Sequence, residues 1–259
     1  MTGKILVERN GLIATVLINK PEQLNALDRS MWQELGDVCV ALDTDSTVRC
    51  LILRGASHKA FTVGADVKMF ATERGHPTQA RAYDHIMRLA LAAVRDHAHP
   101  VVAAIEGLCL GGGLALAAMA DLRLCGQGSR FGIPVHKLGL PMPAPEINAV
   151  MRLVGHARML EILLEARIFD AAEALAIGLV NRVVADNAVE AEAIATAQRI
   201  VAGAPLVNLW HKRFIRKMQV SYNLTAEELN ECYQFFNTED YQEGLRAFHN
   251  KRTPVFTGR

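Results

Sequence analysis

Three consecutive glycines, Gly111-Gly112-Gly113, stand between the apolar run Val101-Val102-Ala103-Ala104-Ile105 and the helix-like run Leu114-Ala115-Leu116-Ala117-Ala118. A strand that breaks on glycines and restarts as a helix aims free backbone N–H groups, and the positive end of a helix dipole, at one point in space. An anion is stabilised at such a point. A second element of the same type lies upstream, where Cys50-Leu51-Ile52-Leu53-Arg54-Gly55 reads as a buried strand and Phe61-Thr62-Val63-Gly64-Ala65-Asp66 as the loop after it. Two N–H groups converging on one carbonyl oxygen form an oxyanion hole, which stabilises charge that develops only in a transition state. The chain contains neither G-x-x-x-x-G-K-[ST] nor G-x-G-x-x-G after a strand, so the sequence gives nucleotide-triphosphate and dinucleotide chemistry no support.

The remaining elements predict an α/β protein. Ile5 to Arg9 and Leu12 to Ile18 read as a hairpin turning at Asn10-Gly11. Helices are expected at about Arg29 to Leu42, Thr78 to Val94 and Gly113 to Met119, with buried strands Cys50 to Arg54, Val101 to Ile105 and Leu122 to Cys125 between them. After about Pro205 the chain reads as wholly helical, from Val207 to Met218, Ala226 to Phe236 and Tyr241 to Asn250. Residues 1–204 therefore read as the core and 205–259 as a helical extension of one continuous domain. A length of 259 residues with 51% hydrophobic and 21% charged content suits a full core.

Charge and cysteine usage narrow the partners. Lys plus Arg number 28 against 27 Asp plus Glu, a net charge of +1 without the basic excess expected of a nucleic-acid binder. Five cysteines, at 39, 50, 109, 125 and 232, contain no C-x-x-C and read as free, buried thiols of a reducing compartment. Met1-Thr2-Gly3-Lys4 runs directly into a strand pattern, and no apolar run is long enough to span a bilayer. The expectation is a cytoplasmic protein that engages neither membrane nor nucleic acid.

A set of short motifs in fixed order carries a further reading. They are Leu17-Ile18-Asn19-Lys20-Pro21-Glu22 followed by Asn25-Ala26-Leu27; Lys59-Ala60-Phe61 leading to Gly64-Ala65-Asp66; Pro100 to Gly107 leading to the glycine triplet; Ala120-Asp121-Leu122-Arg123; Phe131-Gly132; Leu138-Gly139; Ala176-Ile177-Gly178-Leu179-Val180; and Thr238-Glu239-Asp240 with Glu243-Gly244 and Ala247-Phe248. With these, nearly the whole chain resembles the crotonase (enoyl-CoA hydratase/isomerase) superfamily. The resemblance implies a spiral of ββα units with a helical C-terminal extension, assembled as a homotrimer or dimer of trimers. It places the oxyanion-hole donors at the backbone N–H of Ala65 and Gly112, holding the thioester carbonyl of an acyl-coenzyme A. It further places coenzyme A against Asn25-Ala26-Leu27 and the Gly64 to Lys68 loop, with phosphates near Lys20, Lys68 and Lys251. Val63, Asp66, Val67 and Gly111 complete the expected substrate contacts. Coenzyme A is then part of the substrate, with no separate cofactor and no metal.

The sequence departs from the family pattern where chemistry is expected. Hydratases of the family carry one glutamate two residues after the triplet and another four residues after the Phe of Phe131-Gly132, positions occupied here by Ala115 and Val135. An aspartate that other members carry twelve residues after that Phe is replaced by Pro143. Syn addition of water needs a group to activate the water and another to protonate the α-carbon, and alanine, valine and proline supply neither. Glu146, three residues beyond the vacant aspartate position, is the best replacement acid. Its competing reading is a helix-start residue complementing the dipole after a proline. Glu106 is expected to be polar without catalytic duty, and Asp66 to brace backbone N–H groups rather than abstract protons. His136, read as part of an extended segment, is expected to face away from the thioester. His85 reads as a filler residue, and the pair His97 and His99 lacks a third ligand for a metal.

Three functions remain: an acyl-CoA enzyme acting through a thioester enolate by isomerisation, hydration or hydrolysis; a catalytically silent acyl-CoA-binding protein; and an interaction module. Intact glycine loops disfavour the last, because only ligand binding requires both. Met69, Phe70 and Met142 are expected as apolar walls of the acyl pocket.

Overall fold

A computed structural model describes residues 4–220 and 223–259. The first three residues, part of the segment read as lacking a leader pattern, lie outside the described residues. Ten strands run in chain order as β1 (Lys4–Asn10), β2 (Ile13–Asn19), β3 (Cys50–Gly55), β4 (Ala60–Thr62), β5 (Val101–Ile105), β6 (Leu108–Leu110), β7 (Leu122–Gly126), β8 (Arg130–Gly132), β9 (Phe169–Asp170) and β10 (Arg182–Val184). They form a six-stranded sheet ordered β1-β2-β3-β5-β7-β10, antiparallel only at its β1/β2 edge, and a four-stranded sheet ordered β4-β6-β8-β9. The pairs β3/β4, β5/β6 and β7/β8 each give one strand to each sheet, with helix following, which is a ββα spiral. The protein is α/β as expected. Strands buried on both faces, such as β5, read as continuous apolar runs for that reason.

The helices are α1 (Arg29–Asp43), α2 (Phe70–Glu73), α3 (Pro77–Arg95), α4 (Gly112–Met119), α5 (Ala144–Val154), α6 (His156–Glu165), α7 (Ala171–Ala176), α8 (Val189–Val201), α9 (Pro205–Val220), α10 (Ala226–Glu231) and α11 (Glu239–His249). Asp28 caps α1 by accepting the Met31 N–H at 3.0 Å. The short α4 is apolar all round and buried, so it needs no polar face. Its neighbours Met31, Trp32, Leu35, Phe61, Tyr83 and Met87 belong to the same buried cluster, which places the glycine triplet at the centre of the fold.

Three local expectations are corrected. The hairpin turns at Gly11-Leu12, where Gly11 has φ +57°, instead of at Asn10-Gly11. The helix expected over Ala226 to Phe236 stops at Glu231 and resumes as a 3₁₀ turn over Gln234–Asn237. Cys39, Cys50, Cys109 and Cys125 are buried free thiols, but Cys232 is exposed, because its place at the break between those two helices leaves it outside the core. No described helix is long and apolar enough to cross a membrane. The extension is tied to the core through Lys212 of α9, whose ammonium meets Asp121 at 2.6 Å and the carbonyls of His97 and His99 at 2.8 and 2.7 Å.

Candidate active site

Two backbone segments meet at the mouth of α4. Leaving β4, the chain turns through Gly64 at φ +84°, a conformation that favours glycine. Leu27 pairs across this turn: its N–H donates to the Gly64 carbonyl at 2.7 Å and its carbonyl accepts the Asp66 N–H at 2.8 Å. The amide between them, Ala65 N–H, donates to no acceptor among the described residues. From the other side, Gly111 turns the end of β6 into α4 at φ +53°, ψ −122°. As the first residue of that helix, Gly112 leaves its N–H without an intrahelical acceptor. A Cβ placed on Gly112 would stand 3.7 Å from the Ala65 nitrogen, so both unpaired amides border one small volume.

Polar side chains hold this backbone. Thr62 Oγ1 accepts the Gly64 N–H at 3.0 Å and donates to the Asn25 carbonyl at 2.6 Å, while the Asn25 amide donates to the carbonyl of Ala60 at 2.7 Å. Asp66 accepts the Lys68 N–H at 3.1 Å, bracing the loop as the sequence suggests. Its other oxygen meets Lys20, whose ammonium is buried and shared at 3.0 Å each between Asp66 and Asp28. Burial pulls the Lys20 pKa down, but hydrogen bonds and charge from the two aspartates prevail and hold it above its ordinary value.

A cavity of about 540 Å³ opens from these amides. Its walls are mainly apolar, with Leu24, Val67, Phe70, Met87, Leu110, Pro134, Val135, Leu138, Leu140 and Met142 among them. Glu146, in the first turn of α5, also lines it and is only 3% exposed. No hydrogen-bond partner reaches its Oε1, and it caps no helix end. Burial pushes its pKa up to about 7; the Asp84 charge adds to the rise, and Arg74 and Arg88 oppose it. A carboxyl that titrates near neutrality in an apolar cavity is suited to accepting and returning a proton.

Of the expected contacts, Ala26, Val63, Ala65, Asp66, Val67, Lys68, Gly111, Gly112 and Glu146 line the cavity. Gly64 supports it through its backbone, and Leu27 is fully buried behind it. Lys20 is turned into its ion pairs, away from the cavity lining, and Lys251 follows α11 in the extension, also outside that lining. Ala115 is buried inside α4, whereas Val135 and Pro143 face the cavity with no carboxylate. Phe70 and Met142 are walls as expected, but Met69 is exposed because the turn that follows Asp66 carries it outwards. His85 and His136 are exposed and outside the lining; His136 lies on a 3₁₀ turn, Pro134–Leu138, not on an extended segment. Glu106 is buried against His58, 2.6 Å away. Arg74, whose charge acts on Glu146, is the charged lining residue that the sequence did not point to, beside apolar walls such as Leu24, Met87 and Leu110. Arg74, at the C-terminal end of α2, pairs with Asp84 of α3 at 2.8 Å, and its guanidinium lies 4.9 and 5.1 Å from the Phe70 and Tyr83 ring centres; the Asp84 and Tyr83 contacts are tertiary ones that no local pattern announces. No group of three or more potential metal ligands occurs among the described residues.

Known proteins resemble the chain along nearly its whole length. Residues 8–259 match the family profile described as Enoyl-CoA hydratase/isomerase. A protein of Mycobacterium bovis named as a probable enoyl-CoA hydratase is 36% identical, with 98% of each chain covered. The crystal structure of an enoyl-CoA hydratase/carnithine racemase from Magnetospirillum magneticum superposes with a TM-score of 0.96 at 49% identity, covering 98% of this chain and 96% of that one. An enoyl-CoA hydratase from Bacillus anthracis gives a TM-score of 0.93 at 30% identity, covering 98% of this chain and 99% of that one.

Proposed function

The chain belongs to the enoyl-CoA hydratase/isomerase family, and from that premise we propose that it seats an acyl-CoA thioester with the carbonyl oxygen between the N–H groups of Ala65 and Gly112 and shifts a double bond along the acyl chain, with Glu146 carrying the proton. The Glu146 carboxylate takes a proton from the α-carbon of a β,γ-unsaturated thioester. Electrons move into the carbonyl, and the resulting dienolate oxygen is held by the two amides. The neutral acid then returns the proton at the γ-carbon, leaving the α,β-unsaturated product and the carboxylate restored. Coenzyme A enters as part of the substrate, and Lys68 at the exposed edge of the loop suits a phosphate.

The observation that carries this reading is the buried, unpartnered Glu146 carboxyl in the cavity that the two free amides border. One acid that gives back the proton it takes suffices for a 1,3-shift. Hydration calls on a second group, and Ala115, Val135 and Pro143 offer none. Exposed apolar side chains on the extension, Tyr233, Phe236 and Phe248, support assembly into trimers or dimers of trimers.

Solvent-deuterium exchange at the α- and γ-carbons of bound acyl-CoAs tests the proposal. Exchange in the wild type that is lost in Glu146→Gln is the expected result. Equal exchange in both removes Glu146 from the mechanism, and exchange in neither leaves a protein that binds acyl-CoA without turning it over.

A further inference from the structure

We infer that Tyr83 and Trp32 are positioning residues that hold the Ala65 and Gly112 amides at the spacing a thioester oxygen requires, an inference that rests on the donor assignment above. Trp32, on α1, donates its Nε1–H to the Tyr83 hydroxyl at 3.0 Å. Tyr83, on α3, donates in turn to the Leu27 carbonyl at 3.2 Å. That carbonyl also accepts the Asp66 N–H, so both its lone pairs are engaged. Leu27 therefore has its N–H fixed to Gly64 and its carbonyl fixed to Asp66 and Tyr83, the residues on either side of Ala65 included.

The same aromatic pair reaches the other donor. The Trp32 ring stands 3.6 Å from where a Cβ on Gly112 would lie, so it packs beside the Gly112 Cα and limits how far that backbone can shift. Both rings are buried, and neither lines the cavity, so neither touches the substrate. Burial pushes the Tyr83 pKa above its ordinary value, which keeps the phenol protonated and its hydrogen available to Leu27. A chain of buried hydrogen bonds whose members are all satisfied fixes geometry to a fraction of an ångström, the tolerance that stabilisation of a developing oxyanion demands.

Infrared spectroscopy of a bound saturated acyl-CoA labelled with carbon-13 at the thioester carbonyl tests this, because two aligned donors lower the carbonyl stretching frequency. In the wild type the band moves to lower wavenumber than in water. In Tyr83→Phe, which removes one oxygen atom, that displacement shrinks, deuterium exchange slows roughly 10-fold, as the loss of about one hydrogen bond converts, and the dissociation constant changes little. Trp32→Phe, which keeps an aromatic ring but removes the N–H donor and the part of the indole nearest Gly112, changes both readouts in the same direction and serves if Tyr83→Phe fails to fold. A folded variant with the wild-type band and wild-type exchange overturns the positioning role. A wild-type band that does not move on binding overturns the donor assignment itself, and the inference with it.

Discussion

Gly64 and Gly112 are packed backbone to backbone: a Cβ on Gly64 would lie 2.6 Å from the Gly112 nitrogen, whereas a Cβ on Gly112 meets nothing closer than 3.6 Å. The two glycines are therefore required for different reasons. Gly64, at φ +84°, is needed for folding of the loop, and Gly64→Ala both strains the backbone and pushes the two segments apart. Gly112 has room for a methyl group, but a larger side chain there would press on the Gly64 Cα, the Trp32 ring and the Ala65 nitrogen, which all stand within 3.7 Å of its Cβ position. Gly112→Val is expected to fold and to lose turnover on the order of 100-fold, as when an oxyanion donor is removed. Gly64→Ala is expected to lower the melting temperature as well. Circular-dichroism melts beside exchange rates separate the two, and unchanged turnover in a folded Gly112→Val removes Gly112 as a donor.

Glu146 links activity to stability through pH. Its pKa rises from 4.5 to about 7 in the folded chain, so between those values the folded state binds more protons than the unfolded one. Stability from this group is complete below about pH 4.5 and falls as pH rises towards 7 and beyond, by about 3 kcal/mol in all. Glu146→Gln, which cannot ionise, is expected to melt higher than the wild type at pH 8 and nearly level with it at pH 5. Proton abstraction needs the carboxylate, so wild-type exchange should rise through pH 7 while stability declines. A melting difference independent of pH would show that Glu146 is not buried as a titrating acid.

The contrast between Glu146 and Lys20 explains how much the sequence revealed. Gly64, Gly111 and Gly112 were legible because backbone geometry is written locally, in the residues that permit it. Glu146 was legible as a candidate whose pKa burial against Met142 and apolar walls would raise, but the completeness of that burial and the Asp84, Arg74 and Arg88 charges around it come from tertiary packing. Lys20 reads from the sequence as a phosphate contact, yet its ammonium is held by Asp28 and by Asp66, the latter 46 residues away. Its role depends on a tertiary pairing that no spacing rule encodes. The same holds for Tyr83, whose helix is easily read and whose bond to Leu27 spans 56 residues.

Removing the Lys20 ammonium leaves two carboxylates, Asp28 and Asp66, close together and largely out of water. Lys20→Met is expected to destabilise the fold by about 3 kcal/mol, since breaking one side of a buried ion pair strands the other. Chemical denaturation measures this directly. If the variant instead unfolds like the wild type but binds coenzyme A thioesters more weakly, with a shallower salt dependence, the lysine serves phosphate and the ion pairs are incidental.

The cavity makes a prediction that does not depend on which reaction it performs. Its apolar walls suit an acyl chain, its two free amides suit a thioester carbonyl, and Lys68 stands at the exposed edge of the loop. A coenzyme A thioester engages all three, whereas a free fatty acid engages the walls and brings a carboxylate towards Glu146. By mass action, a thioester at 100 times its dissociation constant adds about 2.7 kcal/mol to stability. Thermal shifts with short, medium and aromatic acyl-CoAs are expected to exceed those with the matching free acids. The shifts should persist in Glu146→Gln, which removes the proton carrier and leaves the donors in place. The absence of any shift at millimolar thioester would sink the assignment of this cavity to acyl-CoA, whatever the chemistry at Glu146.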